Sequence, residues 1–206
     1  MEDYRTVEGR AQAELEEKRS RFIASLAFAD TEEKALAFLN QVREANRTAR
    51  HNVYAYVLRQ DNRTRYSDDG EPPKTAGLPV LEVLTHAGLT DCVLVVTRYF
   101  GGILLGTGGL VRAYSGAAAL AVKSAKVVTV RSCVRVKLRV EYSLYERAAL
   151  LFGEAGAKME EPEFAEEVTL SGILPEGDEA PLLPKLTELT RGGKTLSVSK
   201  PFHTAF

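Results

Sequence analysis

The stretch that most constrains this chain is Asp91 to Tyr114, DCVLVVTRYFGGILLGTGGLVRAY. Residues Asp91 to Arg98 are apolar at both alternating positions, which predicts a strand at the centre of a sheet covered on both faces. Five glycines, Gly101, Gly102, Gly106, Gly108 and Gly109, link it to a helix predicted from about Leu110 to Ser124. Backbone N–H groups approach a ligand closely only where side chains are this small.

Two phosphate-loop templates fail here. Gly101 and Gly106 have P-loop spacing, but Thr107 stands where that loop needs lysine. Gly106 and Gly108 begin a dinucleotide fingerprint, but Val111 replaces its third glycine. What remains is a glycine loop flanked by Arg98 and Arg112, with Tyr99, Phe100 and Tyr114 nearby. Arginine with aromatics suits nucleic acid or another anion. The alternative is that Tyr99 and Phe100 fill the core and the glycines let strand and helix pack closely.

A second glycine-containing block, SDDGEPPKTAG, spans Ser67 to Gly77. Asp68, Asp69 and Glu71 could hold Mg²⁺ or supply an acid–base pair, or could simply brace a turn set by Gly70 and Pro72. Beyond that Mg²⁺, no cofactor is expected. Thr75, Ala76 and Gly77 precede a helix predicted over Leu78 to Ala87. Its first N–H groups, with Lys74 beside them, form an anion-site candidate; ordinary capping by Thr75 is the alternative. His51 could meet Asp68 or Asp69, either to shuttle protons or to fix a hairpin. No nucleophile elbow or zinc-protease motif occurs, and no catalytic residue is assigned.

Composition adds bounds. The chain has 206 residues, 45% hydrophobic and 27% charged, which fits a packed core in one large domain or two small ones. Net charge is −1. Residues 1–134 carry +2 and residues 135–206 carry −3. Six arginines between Arg43 and Arg65 form a local excess that either attracts a polyanion or is a solvated face. No apolar run reaches the length of a membrane span, and the charged N-terminus is unlike a secretory signal. With Cys92 and Cys133 isolated in apolar runs, a cytoplasmic protein is expected, with no membrane partner.

The remaining periodicity predicts strands over 4–28, a helix over 31–47 and hairpin strands at Val53 to Arg59 and Arg63 to Ser67. The domain boundary is placed between residues 132 and 133. Beyond it, segments 135–141, 143–155, 157–163, 166–173, 177–190 and 195–199 read β-α-β-β-α-β, a ferredoxin-like plan.

SRFIA at Ser20 to Ala24, His51, SDDGEP, TAG and RYFGGILLGTGGLVRAY resemble the IMPACT family of YigZ type. Lys74 stands where that family usually has glycine, and Val53 where it often has cysteine. The resemblance implies an α+β protein: an N-terminal ribosomal protein S5 domain 2-like α/β sandwich, then a small ferredoxin-like domain similar to those of elongation factor G. Eukaryotic relatives restrain a kinase acting on a translation initiation factor. A translation-associated regulatory protein is therefore expected, binding RNA or the ribosome, or a protein partner of the translation machinery. The expected binding residues are His51, Asp68, Asp69, Glu71, Lys74, Thr75, Arg98, Tyr99, Arg112 and the five loop glycines. The alternative is an enzyme acting on a phosphorylated or carboxylated small molecule at the cleft between the two blocks.

Overall fold

The computed structural model describes residues 3–192 and 196–206. They form a mixed α+β fold with two compact units, one of residues 4–128 and one of residues 129–206 with Asp3. The sequence reading places the boundary four residues later. The chain passes between the units inside one continuous strand, where no loop marks a border.

In the first unit, β1 (Tyr4–Glu8), β2 (Arg10–Glu17) and β3 (Ser20–Phe28) lead to α1 (Glu32–Ala45). β4 (His51–Leu58) and β5 (Arg63–Ser67) form a hairpin, followed by α2 (Gly77–His86), β6 (Cys92–Tyr99) and α3 (Thr107–Ser124). The sheet order is β2-β3-β6-β4-β5, with every pair antiparallel. As its composition predicts, β6 is the central strand, buried from Cys92 to Arg98. Its side chains alternate between two cores. Leu94 and Val96 join Phe22, Val53, Val80, Leu84, Leu110 and Tyr114 on one face. Val93 and Val95 join Phe38, Leu39, Val42 and Tyr56 on the other.

Local signals explain the helices. Thr31 caps α1 by accepting from the Lys34 N–H, Glu32 and Glu33 occupy its first turn and Arg43 its last, in accord with the helix dipole. Helix α3 starts at Thr107, three residues before the expected Leu110. Gly106, at φ 71°, makes the turn into the helix, and Gly109 sits where an added Cβ would lie 3.0 Å from the Leu105 side chain. Packing outweighs the poor helix propensity of glycine there.

β7 (Lys126–Val140) runs into the second unit and alternates cleanly from Val134 onward. Val134, Val136, Leu138 and Val140 are buried, while Arg135, Lys137 and Arg139 face outward. The elements that follow are α4 (Tyr145–Glu154), β8 (Lys158–Met159), β9 (Glu163–Phe164), β10 (Val168–Pro175), α5 (Leu182–Leu189), β11 (Leu196–Val198) and β12 (Phe202–Ala205). β10 and β11 flank β7, and β8 lies outside β10, all antiparallel. This is the expected ferredoxin-like order, with α4 and α5 packed on the Val136, Leu138 and Val140 face.

Three local expectations shift. The strand expected over 157–163 ends at Met159 and resumes at Glu163, with Pro162 in the gap. Gly177, at φ 98°, and Pro181 delay α5 to Leu182. β12, which pairs with Val130 to Cys133, was not expected, since four residues after Pro201 carry no readable period. Thr195, the start of the last expected strand, lies outside the described residues.

Candidate functional site

The SDDGEP block is held by its own acids, each with a separate set of partners. Asp68 reaches forward to the start of α2. Its Oδ1 accepts from the N–H of Ala76 at 3.0 Å and of Gly77 at 2.8 Å, and its Oδ2 from the N–H of Lys74 at 2.8 Å. The proposed anion site at this helix start is thus filled by the chain's own carboxylate. Thr75 does not cap; its hydroxyl donates to the Pro72 carbonyl at 2.7 Å. Lys74 has φ 62°, a left-handed conformation that glycine adopts more easily, and its side chain is exposed.

Asp69 Oδ2 accepts from the Asn52 N–H at 2.6 Å and Oδ1 from Arg43 at 3.0 Å. His51 meets Asp69 through the backbone: its Nδ1 lies 2.8 Å from the Asp69 carbonyl oxygen, so Nδ1 carries the proton. The His–carboxylate pair considered for proton shuttling does not form; the contact fixes the start of β4 to the loop.

Glu71 is buried. Its Oε1 accepts from Arg98 Nη1 and from the Tyr114 hydroxyl, both at 2.7 Å. Burial, and secondarily the Glu71 carboxylate, pushes the Tyr114 hydroxyl pKa well up, so it stays a donor. Among the described residues no group of three or more His, Cys, Asp or Glu side chains is placed to hold a metal. The three acids considered for Mg²⁺ have three different sets of partners.

Arg98 corrects another expectation. It does not flank an open surface, being only 7% exposed, with its guanidinium carbon 5.6 Å from the ring centroids of Phe22 and Phe100. Tyr99 is half-buried and donates to Asn46 Oδ1 at 2.9 Å. Gly101 is required by a backbone approach. An added Cβ would lie 2.0 Å from the Arg19 carbonyl carbon, and its N–H donates to Ser20 Oγ at 3.1 Å. That contact seats the glycine loop against the β2–β3 turn, where Lys18 and Arg19 both have positive φ.

The rest of the loop is open. Phe100 is 55% and Leu104 82% exposed, with Ile103 between them in sequence. Gly102 and Gly106 face open space. Helix α3 has no side-chain cap and no acid in its first turn. The N–H groups of Thr107, Gly108 and Gly109 therefore lack intrahelical partners. Arg112 is exposed, and its Nη1 lies 3.7 Å from where a Gly108 Cβ would be. Among the described residues Lys18, Arg19 and Arg112 make no ion pair.

The arginine-rich segment is mostly neutralised. Arg43 pairs with Asp69, Arg59 with Asp91, Arg63 with Glu32 and Asp61, and Arg65 with Glu32. Sequence reasoning did not single out Lys18 and Arg19, since only the fold brings their turn to Gly101. Tyr114 was noted only as a nearby aromatic. A tyrosine on the apolar stripe Leu110, Ala113, Ala117 needs a buried acceptor, and that was the available signal.

Residues 18–122 match the Impact N-terminal domain, and residues 138–192 match Domain of unknown function (DUF1949). An IMPACT family member of Thermus thermophilus is 44% identical over 176 residues, covering 85% of this chain and 96% of the relative. The IMPACT family member YigZ of Escherichia coli is 37% identical over 182 residues, covering 87% and 89%. A crystal structure of a hypothetical protein aligns with a TM-score of 0.62 at 35% identity, covering 96% of this chain and 97% of that one. No helix among the described residues is long and apolar enough to cross a membrane. With one family model spanning half its length and relatives aligned along most of it, the chain belongs to the IMPACT family.

Proposed function

We propose that this protein is a translation-associated regulatory protein that binds RNA, free or on the ribosome, through the glycine-loop face of its first unit. The observation that carries this reading is the loop surface itself. An exposed aromatic, Phe100, precedes an uncapped helix start, with Arg112 on that helix and Lys18 and Arg19 on the adjoining turn, three cations that make no ion pair among the described residues. Free amides and cations suit phosphate, and an exposed ring suits a base. The translation setting comes from the family.

Arg98 has an indirect role in this reading. Buried beneath Phe100, it supports the loop and leaves phosphate contact to Arg112, Lys18 and Arg19. The enzymatic alternative loses its motive, because Asp68, Asp69 and Glu71 are each bonded within the chain.

The test is binding of short single-stranded RNA and of ribosomes across a salt series. Wild type is compared with Lys18→Ala/Arg19→Ala/Arg112→Ala. A slope of about −0.7 per phosphate neutralised predicts a slope shallower by about 2 in the variant. Equal affinity and slope in the two proteins would reject the reading.

A further inference from the structure

The second unit holds a cleft of about 740 Å³, within the range of small-molecule sites. It lies where the end of β7 meets the first turns of α4 and the last turn of α5. Its apolar wall is Val140, Leu144, Leu151 and Leu189, of which Val140 is buried and the rest half-buried. Leu144, Arg147 and Leu151 fall on one stripe of α4 and the turn before it, so the wall and one cation come from a single helical face.

Charge around the cleft is uneven. Arg139 is satisfied by Glu167 at 2.8 Å. Arg147, Lys185 and Arg191 also line it, and none has an ion pair among the described residues. Two carboxylates complete the rim as acceptors, Glu188 and Glu141, the latter also accepting from Ser143 Oγ at 3.5 Å; set against the three unpaired cations they leave a net excess of one positive charge. A purely apolar ligand would leave three cations unused, and a bare anion would leave the wall uncovered. Two acceptors call for a ligand that also donates hydrogen bonds.

We infer that this cleft binds a nucleoside phosphate: phosphate on Arg147, Lys185 and Arg191, base on the leucine wall, ring or sugar donors toward Glu141 and Glu188. The same chemistry is offered by a free nucleotide or by the phosphorylated end of an RNA.

The test is calorimetric titration of the full chain with adenosine and guanosine mono- and diphosphates. Inorganic phosphate and adenosine serve as fragments, and an end-phosphorylated short RNA is compared with its unphosphorylated form. Arg147→Ala/Lys185→Ala is the variant; both side chains are exposed, and an unchanged unliganded melting temperature verifies its fold. A nucleotide that binds more tightly than either fragment, and at least about tenfold more weakly to the variant, is expected. Preference for the end-phosphorylated RNA, lost in the same variant, also upholds the cleft and assigns the source to an RNA end. No binding of any nucleotide at millimolar concentration, or equal nucleotide binding by the variant, would overturn it. Because Lys18, Arg19 and Arg112 are untouched, this result is independent of the RNA test on the first unit.

Discussion

Glu71 and Arg98 form an ion pair of 2.7 Å with side chains only 5% and 8% exposed, and it ties the two glycine-containing blocks to each other. Tyr114 bonds the same Glu71 oxygen, so a loop, a strand end and a helix meet at one atom. Removing one partner strands the other charge in a low-dielectric site. Glu71→Ala is expected to cost about 3–5 kcal/mol, and Tyr114→Phe about 1 kcal/mol. Replacing both charges, with Glu71→Leu and Arg98→Met, should cost less than the two single losses added together. Urea unfolding of Glu71→Leu, Arg98→Met and the double variant checks this, and simple additivity would show that the pair is not coupled.

Much of the fold could be read from local pattern, because burial there follows period. β6 is apolar at every turn of the pleat, β7 alternates valine or leucine with arginine or lysine, and α1 has its cap and stripe in order. The candidate site was less legible because its contacts are tertiary. Asp68 caps a helix beginning nine residues later, across two prolines, where no local capping rule reaches. Arg98 resembles a surface arginine in sequence, and only the return of the SDDGEP loop buries it. The exposure of Leu104 beside the buried Leu105 follows from the course of the loop, which composition does not encode.

Gly101 and Gly102 are adjacent, yet they answer to different physics. A Cβ at Gly101 would collide with the Arg19 backbone, which cannot move without shifting the β2–β3 turn. At Gly102 there is open space, and only the φ of 83° is unfavourable. Gly102→Ala is expected to cost about 1–2 kcal/mol and leave RNA binding intact. Gly101→Ala should cost more and weaken RNA binding, since it separates the loop from Lys18 and Arg19. Melting temperatures paired with binding isotherms test this; equal effects at the two positions would refute the backbone approach.

Asp68 holds three backbone N–H groups near the start of α2. Asp68→Ala is expected to destabilise by about 2 kcal/mol, and Asp68→Asn by less, since an acceptor remains. The alanine variant also uncovers the Ala76 and Gly77 N–H groups, creating the anion site that the native carboxylate fills. Added sulfate should therefore raise the melting temperature of Asp68→Ala more than that of wild type. An identical sulfate response would mean those amides find another partner.

Alkaline pH probes the face of the sheet opposite α3. Burial, reinforced by the Glu32 carboxylate that accepts its hydroxyl hydrogen, pushes the Tyr56 pKa up to about 12 from the ordinary 10.0. An unfolded Tyr56 loses its proton near the ordinary value, while the folded one keeps it. The unfolded state thus binds fewer protons between about pH 10 and 12, so stability falls as pH rises through that window. Below it, the contribution is complete. Tyr56→Phe removes this proton, so its melting temperature should fall less steeply over the same range, and the two curves should converge toward pH 12. Thermal melts at closely spaced alkaline pH values decide it: parallel curves would mean that Tyr56 ionises equally easily in both states, and that the Glu32 contact does not hold its proton.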